Sequence, residues 1–198
     1  LMSKIITIGR EFGSGGRELG RRLAQKLGIE YYDREIITEI ANHTSLSEEY
    51  VQQIIESKPH HLYPITVGRT FSYMQDYMFW QVQSVISAQF DIIKKMAEKS
   101  DCVIVGRCAD YILKEENPFR IFVYADLDAR VKRCVRREEN DLSEKEIKKQ
   151  IKAVDKNRAQ FYNYFVGEKW GDKKNYDLCI NTTNLDIKEV AEGLSKML

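Results

Sequence analysis

At 198 residues the chain is long enough for one α/β domain with a full core and a small inserted lobe. Its 31 Lys and Arg against 30 Asp and Glu leave almost no net charge, so bulk electrostatics point to no nucleic-acid and no membrane partner. No apolar stretch approaches bilayer-spanning length, the chain enters a strand without a signal-peptide pattern, and Cys102, Cys108, Cys134 and Cys179 lack metal-ligand spacing; these features together imply reduced thiols in the cytoplasm.

Ile5, Ile6 and Ile8 predict a short buried strand that breaks into Gly13-Ser14-Gly15-Gly16. Leu19, Leu23 and Leu27 then recur at every fourth position up to Gly28, the pattern of a helix with a glycine stop. Strand, glycine turn and helix together cradle a phosphate, because backbone N–H groups converge on the anion and the helix N-terminus adds partial positive charge. Arg17 brings a full charge to the same spot. The P-loop pattern asks for a lysine and then a hydroxyl. Here the lysine position holds Gly16, Arg17 comes one residue late, and Glu18 stands near the place of the hydroxyl. Taken alone, the stretch reads as an anion site for a nucleotide phosphate; a turn that binds nothing is the alternative.

Ile29 to Asp33 predicts a second strand ending in Asp33-Arg34, followed by a helix through Ile36, Ile37, Ile40 and Ala41. Ser47-Glu48-Glu49 opens another helix around Val51, Ile54 and Ile55. Pro59, Pro64 and Gly68 punctuate a loop in which His60-His61 reads as solvated rather than metal-binding. Phe71 to Lys99 predicts a long helix with Val82, Val85, Ile86, Phe90, Ile93 and Ala97 on its apolar face. The aromatics at its start (Phe71, Tyr73, Tyr77, Phe79, Trp80) read as packing, with a homodimer contact as the alternative. Cys102 to Val105 predicts a central strand ending in Gly106-Arg107, and Phe119–Tyr124 and Tyr176–Asn181 complete a set of five. Strands separated by helices predict a doubly wound parallel sheet with its ligand beyond the carboxyl ends of the strands. The glycine turn, Asp33-Arg34 and Gly106-Arg107 all fall at such ends.

In the helix from Asp128 to Glu139, Leu127, Val131, Cys134 and Val135 share an apolar arc, while Arg130, Arg133 and Arg137 share another. The arginines form either a solvated basic face or a lid that stabilises charge on a transferring phosphoryl group. Ser143 and Glu146 fit a capping box that starts a helix with the stripe Ile147, Ile151, Val154, Arg158, Phe161/Tyr162 and Phe165. Arg158 thus lies on an apolar face with Asp155 nearby, either as a packing pair or as ligand-binding groups.

Taken together, Gly9 to Glu18, Tyr32-Asp33-Arg34-Glu35, Val105 to Asp110, Asp155-Lys156-Asn157-Arg158, Lys169 to Asp172 and Tyr176 to Asn181 resemble the cytidylate kinase-like family, a branch of the P-loop nucleoside-monophosphate kinases. The resemblance implies a three-layer α/β P-loop kinase fold with a five-stranded parallel sheet. Its core would comprise about 1–33, 99–128 and 159–198, with a helical monophosphate-binding insertion near 34–98 and an arginine-rich lid near 130–158. It implies transfer of the γ-phosphoryl group of ATP, with Mg²⁺, to CMP, dCMP or a related acceptor. Competing readings are a nucleotide-binding regulatory protein with weak or lost kinase activity and a kinase of a non-nucleotide small molecule. By position, Gly13, Ser14, Gly15, Gly16, Arg17 and Glu18 would hold the donor phosphates, with Arg17 the stand-in for the missing lysine. Asp33, Arg34, Arg107, Asp110 and Asp155 would meet the acceptor. Arg130, Arg133 and Arg158 would converge on the transferring group, with Asp33 assisting as an acceptor contact or acid/base group. No side chain is assigned to a metal. Cys108 replaces the aspartate of the family's Gly-Arg-Asp motif, and Arg34 replaces a serine of its acceptor segment.

Overall fold

The structure, a computed structural model, describes residues 4–56, 69–137 and 142–198, without the side chains of 69–78 and 137. Five apolar runs form strands β1 (Ile5–Arg10), β2 (Glu30–Tyr32), β3 (Cys102–Val105), β4 (Phe119–Tyr124) and β5 (Leu178–Asn181). They make one all-parallel sheet in the order β2-β3-β1-β4-β5. The register sets Ile8 of β1 beside Val105 of β3 and Ile121 of β4, so the loops leaving β1 and β3 emerge side by side.

Alternation along the strands divides the core between two faces. Ile6, Ile8, Val103, Val105, Ile121 and Val123 pack against α1 (Gly16–Leu27) and α8 (Ile187–Met197) through Leu19, Leu23 and Ala191. Ile5, Cys102 and Ile104 face α2 (Glu35–Thr44), α3 (Glu48–Glu56) and α4 (Arg69–Lys99), which contribute Ile36, Ile40, Val51 and Ile93. This is the three-layer α/β architecture that the sequence predicts. A short α5 (Ala109–Ile112) follows β3. A separate small core joins α6 (Leu127–Arg137) to α7 (Glu144–Val166) through Val131, Cys134, Ile147 and Ile151, with Phe12 of the glycine loop packed against it. Ser143 caps α7, with the reciprocal Glu146 bond in place.

Several expectations need correction. Val135 is 46% exposed, because the contact with α7 is only as wide as Val131 and Cys134. Phe79 and Trp80 do not pack into the core: they are exposed and meet each other edge to face at 6.0 Å, while the buried stripe of α4 starts at Val85, with Val82 only half-buried. The last strand begins at Leu178 rather than Tyr176, which ends a 3₁₀ turn. The readings of His60-His61 and of the side chains of Phe71, Tyr73, Tyr77 and Arg137 lie outside the described residues. No described helix is long and apolar enough to cross a membrane.

Candidate active site

The loop from Glu11 to Gly15 links the carboxyl end of β1 to the first turn of α1. Gly13 and Gly15 both take left-handed backbone conformations, at φ 77° and 91°. At Gly13 an added Cβ would meet the Cys134 Sγ at 2.9 Å and the Arg130 carbonyl at 3.1 Å. Glycine is needed there both for conformation and for the close approach of α6. Gly15 occupies the N-cap of α1, and no side chain caps the helix. The first amides of α1 are therefore left for another acceptor, the arrangement that binds anions. Buried Ser14 stiffens the loop: its hydroxyl donates to the Glu11 carbonyl at 2.8 Å, and its own carbonyl accepts from the Thr182 hydroxyl at 2.7 Å.

Beside this loop, the ends of β2 and β3 bring together guanidinium and carboxylate groups. Arg17, on the first turn of α1, pairs with Asp33 at 2.5 Å, and its side chain stays 57% exposed. Arg10, the last residue of β1, is 9% exposed and reaches Asp33 only at 3.9 Å. Burial, then repulsion from Arg158 and Arg107, pulls the Arg10 guanidinium well below its ordinary range. Gly106, Arg107 and Cys108 are three successive left-handed residues, at φ 76°, 58° and 55°. Each such non-glycine residue costs on the order of 1–2 kcal/mol, strain typical of functional sites. The kink turns Arg107 inward, where it donates to Glu56 at 3.1 Å while its carbonyl accepts from buried Gln89 at 3.1 Å. Burial pushes Glu56 up, but Arg107 and a hydrogen bond from Gln52 outweigh it, and the carboxylate ends below its ordinary value.

From α6 and α7 the site gains Arg130, Asp155 and Arg158. Asp155 accepts the Phe12 amide on Oδ1 at 2.7 Å and Arg130 on Oδ2 at 2.5 Å. Arg130 also donates to the Phe12 carbonyl and lies 3.5 Å from Glu11, whose carboxyl is raised mainly by burial. Arg158 donates to the Arg10 carbonyl at 3.3 Å, sits over the Phe12 ring at 5.7 Å and lies 3.8 Å from Asp155. Burial lowers its pKa, and Asp155 opposes the shift. A cavity of about 50 Å³ lies between Arg10, Gly106, Arg107 and Arg158, with Phe161 and Trp170 among its walls. Glu56 and Arg158 also border a groove of about 400 Å³ between α3 and α7.

The profile of the cytidylate kinase-like family matches residues 5–184, nearly the whole of this arrangement. The chain belongs to the cytidylate kinase-like family. It is 24% identical over 193 residues to the cytidylate kinase of Methanopyrus kandleri, covering 92% of this chain and 86% of that one. Among solved structures, an uncharacterized protein from Eubacterium ventriosum is similar at 30% identity and a TM-score of 0.71, covering 98% of both chains. The shikimate kinase of Bacteroides thetaiotaomicron shares the fold at a TM-score of 0.58 and 15% identity, covering 98% of this chain and 97% of that one. Membership of this family supports a kinase-like phosphotransferase.

Of the candidate residues, the structure places Gly13, Gly15, Gly16, Arg17, Asp33, Arg107, Arg130, Asp155 and Arg158 around one region at the carboxyl ends of the strands. Other side chains are committed elsewhere. The Ser14 hydroxyl serves the loop itself, and Glu18 pairs with Arg22 at 2.9 Å. Asp110 is buried and accepts from the Tyr162 hydroxyl at 2.7 Å, yet it still lines the cavity shared with Arg107 and Arg158. Arg133 does not join Arg130 on Asp155; it donates to both the hydroxyl and the carbonyl of Thr182 at the end of β5. Arg34 is exposed at the start of α2 and forms no ion pair with a described residue. Sequence reasoning missed Arg10, Glu11, Glu56 and Thr182. Arg10 did carry a signal: a charged residue at the carboxyl end of a buried parallel strand borders the ligand cleft of such sheets.

Proposed function

We propose that the protein transfers the γ-phosphoryl group of ATP to CMP, dCMP or a related nucleoside monophosphate. The observation that carries this reading is the gathering of five guanidinium groups (Arg10, Arg17, Arg107, Arg130, Arg158) at the carboxyl ends of the strands, beside an uncapped helix N-terminus. Positioning and charge neutralisation make up most of what a phosphoryl-transfer protein does. The amides of Gly13 and of Gly15 to Glu18 fit donor phosphates, while that of Ser14 is held by the Glu11 carbonyl. Arg107, with Arg158, fits the acceptor phosphate, one of whose oxygens bonds to the γ-phosphorus as the bond to the β-phosphate oxygen breaks. The groove beside Glu56 leaves room for the rest of the acceptor. In this reading α2–α4 belong to a monophosphate-binding insertion near 34–98, and α6–α7 to a lid near 130–158 that touches the loop through Phe12.

Mg²⁺ would neutralise the phosphate oxygens of the nucleotide. Among the described residues no group of three or more His, Cys, Asp or Glu side chains forms a metal cage, and Mg²⁺ held mainly by phosphates and water needs none. Asp33 already lies between the Arg10 and Arg17 guanidinium groups, so phosphates and water rather than this carboxylate would hold the ion.

The test is ADP release from ATP·Mg²⁺ in the presence of CMP, dCMP, UMP, AMP or no acceptor, for the parent and for Arg107→Ala. Turnover that requires CMP or dCMP and falls about 100-fold in the variant is the expected result. Absence of transfer to every acceptor, at concentrations where ATP binds, would overturn the reading.

A further inference from the structure

The glycine loop has no lysine, and Arg17, the cation next to it in sequence, is drawn outward onto Asp33. Arg10 stands where the missing side chain would be. A Cβ built on Gly16 would lie 2.5 Å from the Arg10 Cβ and 3.0 Å from its Cγ, so the stem of Arg10 fills the space at the first residue of α1. At the other end, a Cβ on Gly106 would collide with the Arg10 guanidinium. Two glycines thus make room for one arginine, Gly16 for its stem and Gly106 for its head. The head is 9% exposed, donates no hydrogen bond to any described residue, and borders the cavity shared with Arg107 and Arg158. A buried cation is costly unless it is paired. Its one neighbouring carboxylate is Asp33: Oδ1 lies 3.9 Å from the Arg10 guanidinium, beyond hydrogen-bond reach, while Oδ2 is held by Arg17.

We infer that Arg10 is the cation that grips the transferring phosphoryl group, reaching it from the strand instead of from the helix. The inference rests on the kinase reading above and deepens it. Glycine at position 16 is then a requirement of Arg10 rather than the loss of a P-loop residue. A guanidinium offers paired donors to phosphate oxygens, and one already buried and in place needs little reorganisation as charge develops.

Three variants of the full chain test this: Arg10→Met, which keeps the stem without the charge; Arg10→Gly, which also removes the Cβ that a side chain at position 16 would strike; and Arg10→Gly combined with Gly16→Lys. Binding of a non-hydrolysable ATP analogue and of tripolyphosphate is measured by calorimetry, beside ADP release and the thermal midpoint. Arg10→Met is expected to stay folded, bind both ligands about tenfold more weakly and lose about 100-fold in kcat. The double variant is expected to regain about tenfold in kcat over Arg10→Gly, since the lysine enters the space that the Arg10 stem left. A merely structural arginine would not be rescued in this way. Parent-like binding and turnover in Arg10→Met would overturn the inference and leave the kinase reading standing. A parent that transfers to no acceptor, together with lost tripolyphosphate binding in Arg10→Met, would sink the kinase reading and keep Arg10 as the phosphate-holding residue. If Arg10→Met does not fold, Arg10→Lys replaces it. A smaller rise in thermal midpoint on adding tripolyphosphate than the parent shows would support the contact, and an equal rise would overturn it.

Discussion

The backbone amide of Phe12 donates to Oδ1 of Asp155 at 2.7 Å, joining residues 143 positions apart in sequence. The other oxygen of Asp155 holds Arg130, which itself reaches back to the Phe12 carbonyl. One carboxylate therefore ties the glycine loop, α6 and α7 into a unit, and a shift of α7 would be felt directly by the loop. Removing that carboxylate would leave the partly buried Phe12 amide without its acceptor and strip Arg130 of its shortest ion pair.

Asp155→Ala is accordingly expected to cost about 3 kcal/mol of stability, the usual consequence of removing one member of a buried pair, and to lower kcat strongly. Asp155→Asn keeps an oxygen for the Phe12 amide and should lose less, about 1–2 kcal/mol. Urea denaturation with parallel ADP-release assays reads both; an alanine variant as stable as the parent would remove Asp155 from this role.

Thr182 supports the opposite side of the loop, giving its hydroxyl hydrogen to Ser14 and receiving Arg133. Thr182→Val keeps the shape and removes the hydroxyl, leaving the buried Ser14 carbonyl unpaired. The expected loss is about 1–2 kcal/mol, with weaker ATP-analogue binding and unchanged acceptor KM. A change confined to acceptor KM would contradict this placement.

Gly13 and Gly28 share a left-handed backbone, at φ 77° and 67°, but nothing lies within 4 Å of a Cβ on Gly28. Gly28→Ala should cost about 1 kcal/mol, the conformational penalty alone, with normal turnover. Gly13→Ala adds the collision with Cys134 and the Arg130 carbonyl, and should cost about 2 kcal/mol or more while reducing turnover at least about tenfold. Equal effects in the two variants would show that the approach of α6 to the loop is unimportant.

Asp110 supplies a pH signature. Burial pushes its carboxyl above the ordinary 3.8, and the Tyr162 hydrogen bond offsets this only partly. A carboxyl with a raised folded-state pKa binds protons more readily folded than unfolded. Its contribution is thus full at pH below 3.8 and is lost as pH rises through the raised value. Asp110→Asn, still able to accept from Tyr162, should gain stability relative to the parent as pH rises from about 4 to 7. Glu11, also raised by burial, keeps its own contribution in both proteins, so the difference between them isolates Asp110. A pH-independent difference would contradict the shift.

Arg17 should matter less than its position in the sequence implies. It is largely exposed and bound to Asp33, so Arg17→Ala is expected to lower kcat by less than about tenfold, in line with a partly screened ion pair. A loss as large as that of Arg10→Met would return the lysine's role to Arg17.

The sequence by itself determined whatever depends on neighbours a few residues apart. Apolar runs placed the five strands, the fourfold leucine spacing placed α1, and Ser143 with Glu146 set the start of α7. The same local logic located the glycine turn, because left-handed backbone at Gly13 and Gly15 is a property of those residues themselves. The tertiary structure alone decided which charges meet. Arg130 and Arg133 lie on one stripe of α6, yet one reaches Asp155 and the other the end of β5, since three residues of rise carry them to different neighbours. Arg107 finds Glu56 and Thr182 finds Ser14 across long spans of chain, and periodicity carries no information about such partners. For Arg10, only the packing of Gly16 and Gly106 around it reveals a buried cation at the cleft.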